Sequence, residues 1–199
     1  MEASEIDLVE KSQQGNIEAF EKLISFYQKK VFNIAFRMMG NQDDASDIAQ
    51  EVFIKIYKSI GSFKKQSAFS TWVYKITINT CRDELRKQKN KRNTISLDQS
   101  ICLEDNEVER QIQSNDPTPE LVAEKRETGK LIKEAIFNLS DEYKEVVILR
   151  DIQGFSYSDI AKILNCPEGT VKSRINRARS MLKDILKGKM ELWDRNSVK

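Results

Sequence analysis

Apolar residues recur at helical spacing over most of the chain. From Ile6 the series runs through Val9, then Phe20, Leu23, Ile24, Tyr27, Val31, Ile34, Ala35 and Met38, the three-and-four rhythm of a half-buried helix. Gly15-Asn16 divides a short first helix from a longer second one, and Gly40-Asn41 ends the second, because glycine accepts the backbone conformation that closes helices. Asp43 or Asp44 can cap the next helix. That helix carries Ile48, Val52, Ile56 and Ile60 on one face and turns Asp47, Gln50, Glu51, Phe53, Lys55 and Tyr57 largely outward. Gly61 stops it. A polar loop with Lys64, Lys65, Gln66 and Ser67 follows, and Ser70 or Thr71 caps a helix reaching about Lys89.

The rhythm fades between Asn93 and Pro119, and Asp116-Pro117-Thr118-Pro119 is a strong breaker, since residues before proline avoid the helical region. Beyond it, one helix spans Pro119 to Asn138. Another starts after Ser140 with Val146, Val147 and Leu149 inward, and Gly154 closes it. Ser156-Tyr157-Ser158-Asp159 is a variant capping box opening a short helix that ends near Leu164. After the turn Asn165-Cys166-Pro167, a last helix opens at Pro167 or Glu168 and buries Val171, Ile175, Ala178 and Leu182. The pattern predicts an all-α fold: a helical domain over 1–92, a flexible acidic linker over 93–117, a second helical domain over 118–188 and a tail over 189–199.

Composition agrees with exposed helices: 199 residues, 32% charged, with three prolines and seven glycines. Charge changes the picture more. The net charge of +2 conceals +4 over 82–92, −6 over 98–120 and +5 over 162–187. The acidic stretch is a poor neighbour for nucleic acid and reads as a solvated tether. The two basic stretches are candidates for phosphate contact.

Histidine is absent, and Cys81, Cys102 and Cys166 are odd in number and far apart. Neither a disulfide framework nor a metal centre is expected, and the commonest general base is missing. The expectation is no enzymatic step, cofactor or small-molecule substrate. No apolar run approaches the ~18 residues of a membrane span, and the acidic start MEASEIDLVE does not resemble a signal peptide. A cytoplasmic protein is expected.

Two segments carry candidate chemistry. Phe69, Trp72 and Tyr74 lie beside the basic loop and on a helix ending in the +4 run; rings stack on unpaired bases while cations track phosphates. Near the C-terminus, a capped short helix, a tight turn and a helix exposing Lys172, Ser173, Asn176, Arg177 and Arg179 make a helix-turn-helix. Its second helix fits the major groove, where arginine and lysine donate to guanine edges. The outward face with Phe53 and Tyr57 fits either a solvated helix side or a docking surface for a partner helix. On pattern alone, a stand-alone helix-turn-helix regulator or a helical scaffold also accommodates these features.

Three segments in order, DDASDIAQEVFIKIYKSI, FSTWVYKITINTCRDELRKQK and GFSYSDIAKILNCPEGTVKSRINRARSML, resemble the extracytoplasmic-function (ECF, group IV) sigma factors of the sigma-70 superfamily. The resemblance covers nearly the whole chain, and GTVKSR followed by RAR is its most specific part. It implies a sigma2-like bundle and a sigma4-like helix-turn-helix domain, without the extra regions of housekeeping sigma factors. It also implies that Asp47, Gln50, Glu51, Phe53 and Tyr57 dock on core RNA polymerase, at the beta-prime clamp helices, with further contact to the beta flap. By the same resemblance, Lys64, Ser67, Phe69, Ser70, Thr71, Trp72, Tyr74, Lys75, Asn79, Arg82 and Arg86 meet the melted −10 element and trap an unpaired base. Thr170, Lys172, Ser173, Arg174, Asn176, Arg177 and Arg179 then meet the −35 duplex. The acidic linker passes near the polymerase active-site and RNA-exit channels. A membrane-anchored anti-sigma factor is a further implied partner, which would hold the protein at the inner face of the membrane.

Overall fold

The structure, a computed structural model, describes residues 4–94 and 119–197, with side chains described over 4–90 and 128–188. Among the described residues every regular element is helical: α1 (Glu5–Gln13), α2 (Ile17–Ser25), α3 (Gln28–Met39), α4 (Gln42–Ser59), α5 (Phe69–Thr94), α6 (Pro119–Phe137), α7 (Asp141–Val147), α8 (Tyr157–Leu164) and α9 (Glu168–Ser197). A short 3-10 turn, Ile60–Ser62, follows α4, and a π-helical turn, Ile148–Ile152, extends α7. No helix among the described residues is long and apolar enough to cross a membrane.

Side-chain caps set the helix starts. Ser4, Asn16, Asn41 and Ser156 each accept a hydrogen bond from the backbone amide three residues on, satisfying donors that the helix itself leaves orphaned. Asn41 therefore caps α4, and Asp43 and Asp44 sit in its first turn, where the Asn41 side-chain amide donates to Asp44. The single long helix expected over 17–39 is two. The chain turns at Phe26-Tyr27, with the Tyr27 amide donating to Ile24, so that the buried Tyr27 ring enters the core and its hydroxyl donates to Glu5. Helix α5 begins at Phe69, ahead of the expected Ser70 or Thr71 cap, and runs to Thr94. The expected linker residues Asn93 and Thr94 are thus helical, while 95–117 lies outside the described residues.

In the first half, α3, α4 and α5 pack against one another, and α1 packs on α2 and on the 3-10 turn. Leu23, Val31, Ile34, Met38, Val52, Ile56, Val73 and Ile78 are completely shielded from solvent, each contributing about 1.5–3 kcal/mol by burial. The α4 stripe Ile48, Val52, Ile56 and Ile60 is buried as its spacing requires. In the second half, α7 and α8 pack on α9 around Val146, Leu149, Ile160, Ile163, Val171, Ile175 and Ala178. Asn165 closes α8 in the left-handed conformation at φ 53. Helix α9 continues past Leu182 to Ser197, so most of the segment expected as a separate tail is helical.

The two halves pack together. Helix α5 lies against α8, and α3 against α6 and α7. The Tyr74 ring meets Phe155 edge-on at 5.0 Å between centroids. Phe137, at the end of α6, covers Gly40, which closes α3 at φ 83 and has no room for a Cβ against that ring. Lys144 lies over the Phe137 ring, 4.5 Å from its centroid.

Candidate nucleic-acid interface

Helix α9 is amphipathic in the sense its sequence predicts. Val171, Ile175 and Ala178 are fully buried and Leu182 half-buried, which leaves Lys172, Ser173, Asn176, Arg177 and Arg179 exposed. Ser173, Asn176 and Arg177 share one face by the i, i+3, i+4 rule. The remaining predicted cations differ in their surroundings. Arg174 is half-buried and pairs with Glu142 of α7 at 2.9 Å; Arg179 donates two hydrogen bonds to Asp151, which raises the guanidinium pKa further. Lys172 of α9 and Arg150 of the π-helical turn both approach the Tyr157 ring of α8, at 5.8 and 4.7 Å. Thr170 is half-buried in the first turn.

The second basic surface is built on α5. Lys64, Asn79 and Arg86 are exposed, and Ser67, Ser70, Trp72, Lys75 and Arg82 half-exposed. Three residues expected on this surface are instead buried: Phe69 (4% exposed), Thr71 (4%) and Tyr74 (1%). Phe69 packs edge-on with Tyr27 and Phe63, and Tyr74 packs with Tyr27 and Phe155. In this conformation all three belong to the packed interior. Trp72 differs: its ring leans on Phe63 and Phe69 at 5.1 and 5.5 Å, and the residue is only half-buried. Lys65 is held by Glu10 at 2.5 Å.

Arg82, Arg86 and Lys89 line a cleft of about 410 Å³ together with Asn90 and with Asp141 from the second half. Its electrostatics are dominated by one pair that the sequence reading missed. Arg82 donates from Nε and Nη2 to the two oxygens of Glu145, at 2.6 and 2.5 Å across 63 residues of sequence. Glu145 is 1% exposed. Burial pushes its carboxyl up and the Arg82 guanidinium offsets part of that, while the same hydrogen bonds hold Arg82 firmly charged. Beside it, Lys89 pairs with Asp141 at 2.6 Å. A carboxylate set against the apolar run Val146-Val147-Ile148-Leu149 was the available signal for a buried pair.

A third face lies on α4, with Asp47 and Gln50 exposed. Glu51 is tied to Lys55 at 2.8 Å, a hydrogen bond that lowers its carboxyl pKa, and Lys55 also donates to Thr80. Phe53 packs half-buried on the core, and Tyr57 is 52% exposed with its ring against Phe20. Ile54, absent from the expected set, is 53% exposed between them. Its signal was its position, an isoleucine on the polar side of the helix. Among the described residues no group of histidine, cysteine, aspartate or glutamate is arranged to hold a metal. Cys81 is buried and its thiol pushed up to about 12.

Comparison with known proteins gives these faces a context. The Sigma-70 region 2 model matches residues 23–91 and the Sigma-70, region 4 model matches residues 130–182, one in each half. The ECF RNA polymerase sigma-E factor of Haemophilus influenzae is 41% identical over 180 residues, covering 89% of this chain and 92% of that protein. The ECF RNA polymerase sigma factor SigW of Bacillus subtilis is 36% identical, covering 90% and 95%. Among solved structures, the sigma factor RpoE of Bartonella quintana, in complex with the anti-sigma factor NepR, superposes with a TM-score of 0.67 at 26% identity, covering 86% of this chain and 98% of that one. CnrH in complex with the cytosolic domain of CnrY shares the fold at the same TM-score and 22% identity, over 94% and 99%. With both regions present in order and close relatives matched nearly end to end, the chain belongs to the ECF sigma factors of the sigma-70 family.

Proposed function

We propose that this chain works as the promoter-reading subunit of a bacterial RNA polymerase, with three separate faces for three tasks. The observation that carries this is the presence of two solvent-facing basic surfaces in different domains, on α5 and α9, beside an acidic and apolar face on α4. The exposed row Ser173, Asn176 and Arg177, with Lys172 alongside, enters the major groove of the −35 element and reads base edges. Lys64, Ser67, Ser70, Trp72, Lys75, Asn79, Arg82 and Arg86 receive the −10 element, cations meeting phosphates and the half-exposed Trp72 stacking on an unpaired base. Trapping unstacked bases favours the melted state. The chain supplies no bond-making chemistry in this account; polymerase does.

Asp47, Gln50, Glu51, Ile54 and Tyr57 dock on core polymerase, Ile54 and Tyr57 as anchors ringed by polar groups. The protein acts in the cytoplasm. Relatives whose solved structures contain anti-sigma factors support control by such a partner, and a membrane anchor on that partner would hold the complex at the inner membrane face. The test is to reconstitute the chain with bacterial core polymerase and probe promoter DNA with permanganate. Reactive thymines at the −10 element, appearing only when both components are present, are expected. Melting by core polymerase alone, or none with both, would count against the proposal.

A further inference from the structure

We propose that α1 shapes the loop that receives the −10 element, with Gln13 and Glu10 as positioning residues that govern which unpaired base the loop accepts. This rests on the promoter-reading function above. Residues 63–68 join the 3-10 turn to α5 and carry Lys64 and Ser67, both proposed above to receive the strand. Glu10 and Gln13 are three positions apart on α1 and so share one face. The Gln13 side-chain amide donates to the Ile60 carbonyl at 3.0 Å and to the Phe63 carbonyl at 2.9 Å. Glu10 pairs with Lys65 at 2.5 Å. One helix face thus grips the loop at its start and again at its middle.

The two contacts fix different things. Ile60 and Phe63 bound the 3-10 turn, whose own closing bond runs from the Phe63 amide to the Ile60 carbonyl. A primary amide nitrogen carries two hydrogens, so Gln13 holds both carbonyls at once. Phe63 is buried and its ring lies 5.1 Å from that of Trp72; the place of Phe63 therefore sets the surface on which Trp72 rests. Lys65 has φ 56, a left-handed backbone that residues other than glycine and asparagine seldom adopt. Its bond to Glu10 holds that residue in place and directs the ammonium to α1, while Lys64 stays exposed. The support is itself anchored: Leu8, Val9 and Ser12 are buried, and the Tyr27 hydroxyl donates to Glu5.

A loop that takes up an unstacked base discriminates by shape and by fixed hydrogen-bonding groups, and a loop already held in its receiving shape loses less freedom on binding. Neither α1 residue meets the strand in this account. The Gln13 donors are occupied by backbone carbonyls. A carboxylate at the rim of a strand-binding loop repels phosphate, so Glu10 acts through Lys65. Loosening either contact lets the loop change shape and admit wrong bases. Reading of the −35 element by α9 and docking by α4 do not depend on it.

The experiment uses the full chain in holoenzyme with core polymerase, on a labelled promoter fragment that the unaltered holoenzyme transcribes, with each −10 and −35 base replaced in turn. A wrong base costs a specific site roughly 5- to 150-fold in affinity. Gln13→Glu, which sets a carboxylate against the two carbonyls, should cut that penalty to under about threefold at the −10 position the loop receives. Penalties at −35 positions and affinity for core polymerase should stay as they were. Gln13→Met keeps the length, removes the donors and should act the same way by less. Glu10→Lys should lower the −10 penalty too, and adding Lys65→Glu should restore it by remaking the pair in reverse. In free chains carrying Trp193→Phe, the emission of Trp72 should shift with either Gln13 variant. Unchanged −10 penalties in a folded Gln13 variant would overturn the proposal, as would an equal loss at −10 and −35, the mark of a general structural defect. An exchange that fails to restore the penalty would give Lys65 to the strand and overturn the Glu10 contact as a support. If Gln13→Glu does not fold, Gln13→Met and the exchange decide. Should the unaltered holoenzyme read no promoter, the sigma function fails; where it reads one, an unchanged penalty falls on α1 alone.

Discussion

Arg174 of α9 lies 2.9 Å from Glu142 of α7, while Arg177, three residues further along the same helix, is exposed and pairs with no carboxylate among the described residues. Two arginines that look equivalent in RINRAR thus have different surroundings. The first is tied to α7 of its own half, and the second stays exposed to solvent. Arg177→Ala should weaken holoenzyme binding to −35-dependent promoters by ~1–3 kcal/mol, the cost of a lost base contact, with the melting temperature unchanged. Arg174→Ala should lower thermal stability as well, by up to ~1 kcal/mol for a pair this exposed. Gel shifts with holoenzyme and thermal melts of the free chain separate the two.

The α4 face predicts a different defect. Gln50→Ala combined with Glu51→Ala should weaken binding to core polymerase and spare contacts to DNA. Ile54→Ala should weaken it by ~1–2 kcal/mol if that exposed side chain is an interface anchor, with little change in stability because it is 53% exposed already. Anisotropy titrations of labelled protein against core polymerase measure both.

Gly40→Ala should be costly for two separable reasons. At φ 83 a side chain strains the backbone by ~1–2 kcal/mol, and the new Cβ meets the Phe137 ring. Urea unfolding should show a large loss for Gly40→Ala. Adding Phe137→Ala should relieve the collision but not the backbone strain, so the two substitutions together should cost less than the sum of each alone.

Alkaline pH should destabilise the fold through α5. Burial pushes the Cys81 thiol up to about 12 from 9.0 and the Tyr74 hydroxyl up to about 12 from 10.0. The folded chain therefore keeps protons that the unfolded chain releases. The stability tied to Cys81 is fully present below about pH 9 and is lost as pH rises toward 12, about 1 kcal/mol of it by pH 10. Urea midpoints should fall between pH 8 and pH 10, and Cys81→Ala should flatten that fall. Iodoacetamide should reach Cys81 only on unfolding.

Much of this was legible in the sequence because it depends on period. The stripes Ile48, Val52, Ile56, Ile60 and Val171, Ile175, Ala178 are buried as spacing requires, and the Ser156 capping box and the Asn165 turn stand where the residues place them. Periodicity says which way a helix faces, but not what a neighbour from another part of the chain will cover. That is why Phe69 and Tyr74, aromatic and beside a basic loop, looked like base-stacking rings and are instead enclosed by Tyr27, Phe63 and Phe155. Glu145 was missed for the same reason, since its partner lies 63 residues away. The break at Tyr27 escaped because propensity carries a helix straight through Phe26-Tyr27. The buried Tyr27 ring and its bond to Glu5 override that preference.

The most direct measurement is run-off transcription with purified bacterial core polymerase on fragments of genomic DNA. Adding this chain should produce transcripts from a small set of start sites that share spaced −35 and −10 sequences, and Arg177→Ala should reduce them through the −35 element. Start sites unchanged from core polymerase alone, on every template tried, would contradict the account.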